Sequence, residues 1–244
     1  MPRSAKRLAT LLTCAAVPVM LVAGCSSSGG DKDAGSASPS ASGSGSGSAS
    51  SAPSAQPSSA PTLPPARFQK LPDPCAAVSK DTIKELLPKV NDEKGEPGKS
   101  SNTKARGYCA WDSSESKGVD GTQYRWLDIG FQRYDSTPGV GTGDERAKEF
   151  LTTQIDGAKA VPGAKDVKAK PVSGIGDEAT LITYDLKKDG SDFKNQTVVT
   201  RTANVVVTLN YNGAGLAGAD TPDGDDLAKK AQDAIKEAVA AVAK

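Results

Sequence analysis

Between residues 26 and 66 almost nothing apolar appears beyond alanine, and then apolar side chains return with two distinct periods. Asp73-Pro74 reads as a helix start, since Asp caps free amides and Pro suits the first helical position. Ser79 opens a second helix with Ile83, Leu86 and Leu87 on one face, and Pro88 stops it. Residues 89–104 are rich in Gly, Lys, Glu and Asn around one Pro and predict a long loop. A strand is predicted over Arg106–Ser113, carrying Cys109 and Trp111. Alternation is strong over Tyr124–Tyr134, where Leu127, Ile129 and Phe131 share one face and Tyr124 and Trp126 the other. Apolar groups on both faces predict a central strand.

Thr142 and Glu145 have the spacing of a capping box, and Ala147, Phe150, Leu151, Ile155 and Ala158 follow as a helical stripe to about residue 158. Strands are predicted at about 166–171, 178–186, 194–202 and 204–211. Asp189-Gly190 marks a hairpin between two of them, and Val205, Val207, Leu209 and Tyr211 share one face. Thr221-Pro222 opens a long helix with the stripe Leu227, Ala231, Ile235, Ala238, Val239 and Val242. This order predicts an α+β fold: an antiparallel β-sheet with N-terminal, central and C-terminal helices packed on it.

The N-terminus carries a different signal. Arg3, Lys6 and Arg7 precede an apolar stretch from Leu8 to Ala23 that contains Pro18. A spanning helix needs about 20 apolar residues, so residues 1–24 read as a signal peptide. Leu21-Val22-Ala23-Gly24-Cys25 resembles the bacterial lipobox at every position. That resemblance implies a diacylglyceryl thioether on Cys25, which cleavage leaves as the new N-terminus. The alternative is an ordinary signal peptide with Cys25 incidental. Residues 25–66 are then the lipidated cysteine and a tether of Ser, Gly, Ala and Pro, which has too little to bury to offset its ordering entropy. As a flexible coil the tether would reach roughly 35 Å. The third segment, 67–244, is expected to be a single extracytoplasmic domain, long enough for one hydrophobic core.

With Cys14 removed and Cys25 lipidated, Cys75 and Cys109 remain in an exported chain, where disulfides persist. A bridge between them is the simplest pairing; metal binding by two thiolates is the rival. The chain has no histidine, which excludes Ser-His-Asp and Cys-His catalysis and imidazole metal sites. A net charge of +1 without a long basic run excludes a nucleic-acid binder. Gly139–Gly143 lacks the Gly-Lys-Ser/Thr ending of a phosphate loop and reads as a turn plus cap. Asp223–Asp226 lacks calcium-loop spacing and reads as an acidic first turn. Asn195-Gln196-Thr197 fits a glycosylation sequon and is taken as strand sequence. Four residues stand as candidate ligand contacts: Trp111 and Trp126, whose ring faces stack on sugars or lipid tails, and the adjacent carboxylates Asp177 and Glu178 at a Gly-rich turn. No catalytic residue, metal or cofactor is assigned.

Lipobox, tether, Asp73-Pro74-Cys75, Cys109-Ala110-Trp111 and the turn Gly174-Ile175-Gly176-Asp177-Glu178-Ala179 together resemble the actinobacterial, Streptomyces-like lipoproteins grouped as domain of unknown function 3558. The resemblance covers most of residues 71–243 and supports the Cys75–Cys109 bridge. Element order also resembles PsbP-like lipoprotein folds, an α/β/α sandwich. The expected role is a non-enzymatic binding or interaction module on the outer face of the cytoplasmic membrane, facing the cell wall. Its partners are the membrane, through the lipid anchor, and an envelope protein, cell-wall polymer or lipid ligand. A histidine-free envelope hydrolase or transferase is one alternative, and a sensor or accessory subunit acting by protein–protein contact is another.

Overall fold

The structure is a computed structural model that describes residues 62–244. The expected signal peptide, Cys25 and most of the tether lie outside the described residues. Residues 62–66 hold no helix or strand, and Ala66 is already buried.

The elements follow in the order α1 (Lys80–Leu86), β1 (Glu96–Pro97), β2 (Arg106–Ser116), β3 (Thr122–Arg133), α2 (Gly143–Lys159), β4 (Lys165–Val172), β5 (Glu178–Lys188), β6 (Ser191–Thr202), β7 (Val205–Leu216) and α3 (Gly224–Val242). The strands form one sheet in the order β1-β2-β3-β7-β6-β5-β4, with every neighbouring pair antiparallel. β3 lies between β2 and β7, so the interior position predicted for it holds.

Strand alternation divides the apolar side chains between the two faces of this sheet. On one face Cys109 and Trp111 of β2, Leu127, Ile129 and Phe131 of β3, and Val205, Val207, Leu209 and Tyr211 of β7 pack with Ile83 and Leu86 of α1, with Leu87 just after it, and with the apolar stripe of α3. On the other face Ala147 and Leu151 of α2 pack on Ile182, Val199 and Val206, flanked by Phe150, Ile155 and Ala158. The result is three layers, with α1 and α3 on one side of the sheet and α2 on the other.

Local chemistry sets the element ends. Thr142 and Glu145 form the capping box in full, with Thr142 N donating to Glu145 Oε2 (2.9 Å) and Glu145 N to Thr142 Oγ1 (3.2 Å). Asp189 and Gly190 both take positive φ (50° and 82°), as the two-residue β5–β6 turn requires. The edge strand β4 is exposed and carries Lys165, Lys168, Lys170 and Pro171, side chains that discourage a further strand from pairing there.

Three expectations need adjustment. Asp73-Pro74 opens only a 3-10 turn over Pro74–Ala76, because Ser79 is extended and begins a separate helix. The last helix starts at Gly224 under Asp223, whose side chain accepts Asp226 N at 2.8 Å, rather than at Thr221-Pro222. Inside the predicted long loop, Glu96–Pro97 pair with Cys109–Ala110 as β1; a two-residue edge strand is too short to show a period.

Candidate functional site

Cys75 and Cys109 are bonded to each other, with Cα atoms 5.2 Å apart and 34 residues between them in sequence. The bridge fastens the 3-10 turn to β2. Trp111 and Trp126 fall on opposite faces of the sheet and cannot line one groove. Trp111 pairs with Leu127, faces the α1/α3 core and is buried there. Trp126 pairs with Asp112 on the other face, half-buried, and donates its indole N–H to Asp128 Oδ2 at 3.0 Å.

Asp177 and Glu178 share a common partner, Arg201. Arg201 Nε donates to Glu178 Oε1 (2.6 Å) and its Nη1 to Asp177 Oδ2 (3.2 Å). The same Asp177 oxygen accepts Ala203 N at 2.7 Å, and Arg201 Nη1 donates to Ala203 O at 2.9 Å. Ala203 sits at φ 47° in the tight β6–β7 turn. The carboxylates therefore clamp a strained turn.

The surface with the makings of a binding site lies elsewhere, where α2 stops short of covering its side of the sheet. A cleft of about 470 Å³ opens there, walled by residues 98–101 on one side and by Phe150 and Gln154 of α2 on the other. Its floor is the α2-side face of β2, β3 and β7, with Tyr108, Asp128, Gly130 and Asn210. Gly130 opens the floor: a Cβ there would meet only Thr208 O, at 4.0 Å, and so would project into open space.

The polar groups of the floor are ordered before any ligand arrives. Asn210 donates to Asp128 Oδ1 (2.9 Å) and accepts from Thr197 Oγ1 (2.8 Å), while Trp126 holds the second Asp128 oxygen. These four side chains cross β6, β7 and β3 in adjacent register. Burial pushes the Asp128 carboxyl above the usual Asp range, opposed by the hydrogen bonds from Asn210 and Trp126. Tyr108, 40% exposed, has its phenol pushed up to about 12 by burial and by the nearby Asp128 charge. The floor continues past the cleft as a half-open aromatic strip in which Tyr124 meets Phe193 edge-on at 6.1 Å.

Tyr108, Asp128, Gly130, Phe150, Gln154 and Asn210 were not among the candidates from sequence. The signal they left is the alternation in β3, where Asp128 and Gly130 follow the aromatic Tyr124 and Trp126 on one face. Among the described residues no cluster of three or more Cys, Asp or Glu side chains is placed to hold a metal ion. No helix among them is long and apolar enough to cross a membrane.

A family model described as "Protein of unknown function (DUF3558)" matches residues 20–169, more than half of the chain. No curated protein matches it. Among solved structures, the crystal structure of LpqN, involved in cell envelope biogenesis of Mycobacterium tuberculosis, aligns at a TM-score of 0.31 and 16% identity, covering 59% of this chain and 82% of that one.

Proposed function

The chain belongs to the DUF3558 family, and we propose that it is a lipid-anchored, non-enzymatic binding module of the cell envelope whose ligand lies in the cleft above Gly130. The observation that carries this reading is the cleft itself. Its volume suits a segment of a small or polymeric ligand, and its polar floor is held by hydrogen bonds across three strands, so little is lost in ordering it. Aromatic side chains beside amides and hydroxyls (Tyr108 and Phe150 with Gln154, Asn210 and Thr208) favour a neutral, polyhydroxylated ligand such as a cell-wall saccharide. The lipobox at Cys25 supports the envelope location, and the tether would let the cleft work away from the lipid surface.

The reading is tested with soluble oligosaccharides released from the cell wall, titrated against the mature chain. Trp126, bonded to a floor residue, supplies a fluorescence signal. Gly130→Val is expected to abolish binding while keeping the melting temperature, because the new side chain enters open space and Val suits a strand. Equal binding by wild type and Gly130→Val would sink the proposal. The half-buried Asp128 carboxyl, raised above its usual range and open to the cleft, keeps a hydrolase as the second reading. Release of reducing ends by wild type but not by Asp128→Asn would favour it.

A further inference from the structure

A second depression, of about 440 Å³, adjoins the cleft and shares Arg106 and Gln132 with it. Three guanidinium groups reach it, from Arg106 at the start of β2, Arg133 at the end of β3 and Arg146 in the first turns of α2, against one carboxylate, Asp135.

Each charge has a distinct status. Arg133 is only 7% exposed and is committed: it pairs with both oxygens of Asp135 and donates to Lys104 O (3.0 Å) and Phe68 O (3.4 Å). Asp135 is thereby neutralised where it stands. Arg146 is positioned but not used up. Its Nη1 donates to Asp135 O (2.9 Å) and Thr137 Oγ1 (3.3 Å), and its guanidinium lies over the Tyr134 ring at 5.0 Å. Its Nε and Nη2 have no partner among the described residues. Arg106 is exposed and makes no side-chain hydrogen bond or ion pair among them. The Tyr134 hydroxyl is likewise unpartnered among the described residues. Burial raises its pKa, while the charges of Arg106 and Arg146 draw it down.

We propose that Arg106, Arg146 and the Tyr134 hydroxyl form an oxyanion subsite that receives a phosphate group, contiguous with the cleft. Two planar guanidinium forks with free N–H edges and one phenolic residue line a depression whose single acid among the described residues, Asp135, is already paired. That donor set matches phosphate oxygens better than a point charge does. The stacking of Arg146 on Tyr134 fixes its side chain in advance, so little rotamer freedom is lost on binding. Because the two hollows share Arg106, one ligand with a phosphate beside a polyhydroxylated unit spans both. This deepens the saccharide reading and rests on it for the neighbouring half of the ligand. The phosphate itself comes either from a soluble ester or from a lipid headgroup.

The test uses the mature chain with Cys25→Ser, so that no lipid is attached, in calorimetric titrations with glycerol phosphate and in sedimentation with phosphatidylglycerol or phosphatidylcholine vesicles. Glycerol phosphate is expected to bind at low salt, to weaken at high salt, and to lose about tenfold in affinity in Arg106→Gln. Arg106 has no structural partner among the described residues, so this variant keeps the wild-type melting temperature; Arg146→Gln is expected to lose a similar factor. Binding of phosphatidylglycerol vesicles alone, lost in Arg106→Gln, assigns the phosphate to a lipid headgroup and upholds the subsite. No binding of either probe by wild type, or equal binding by Arg106→Gln, overturns it. Gly130→Val separates the two readings, since it is expected to retain glycerol phosphate while losing the oligosaccharide. If oligosaccharide binding survives Gly130→Val, the cleft reading fails alone.

Discussion

At Asp128 burial and hydrogen bonding pull the same carboxyl in opposite directions, and burial wins. The folded chain therefore holds that proton more tightly than the unfolded chain, whose Asp titrates near its ordinary value of about 3.9. The contribution of Asp128 to stability is fullest below that value, falls as the pH rises through the folded pKa, and is constant above it. The melting temperature of wild type relative to Asp128→Asn is expected to decline over that window, and a rise would contradict the assignment. Asn204 shows the opposite case of a polar group fully satisfied in the interior. It is 0% exposed, accepts Phe68 N (2.8 Å), and donates to Phe68 O (2.9 Å) and Tyr134 O (2.8 Å). Asn204→Ala removes the partner of the Phe68 N–H and of the Tyr134 carbonyl and is expected to cost about 2–3 kcal/mol in denaturant unfolding; a change under about 0.5 kcal/mol would show that water replaces it. Neither residue stood out in the sequence. A single Asp in an alternating strand and an Asn in a hairpin turn both have ordinary local explanations, and what distinguishes them is partners 70 or more residues away.

The elements themselves were far more legible, since their periods are set by backbone geometry within a few residues. The capping box at Thr142, the Asp189-Gly190 turn and the stripes of α2 and α3 were all readable from spacing. What local pattern does not carry is the pairing of β3 with β7, which places Asp128 beside Asn210 across 82 residues of sequence and so creates the floor. Nor does it show that α2 covers Ile182, Val199 and Val206, with Tyr134 and Tyr184 beside them, and leaves part of its face open. The disulfide acts at this scale too. Closing a loop of 34 residues is worth roughly 3–4 kcal/mol in the chain-entropy model, which for a domain of this size corresponds to a melting temperature lower by on the order of 10 °C. Cys75→Ala should show that drop, and reductant should reproduce it in wild type. An unchanged melting temperature in both would mean that the bridge constrains nothing.

For the molecule as a whole, the two faces of the sheet divide the work. The α1/α3 face is closed by Glu237, which accepts Ser79 N at 2.7 Å, and by the Tyr211 hydroxyl, which donates to Leu86 O. The α2 face is left partly open, with preset polar groups. The proposed anchor at Cys25 lies outside the described residues. Cys25→Ser is expected to shift the protein from the membrane fraction to unprocessed or soluble forms on cell fractionation, and normal retention would remove the anchor from the account. The central claim remains that ligand is received on the open half of the α2 face. Amide chemical-shift mapping of the chain with cell-wall oligosaccharide tests it most directly. The account predicts shifts confined to residues 98–101, 128–132, 206–210 and the Phe150–Gln154 turn of α2; shifts centred on α1 and α3, or none at saturating oligosaccharide, would contradict it.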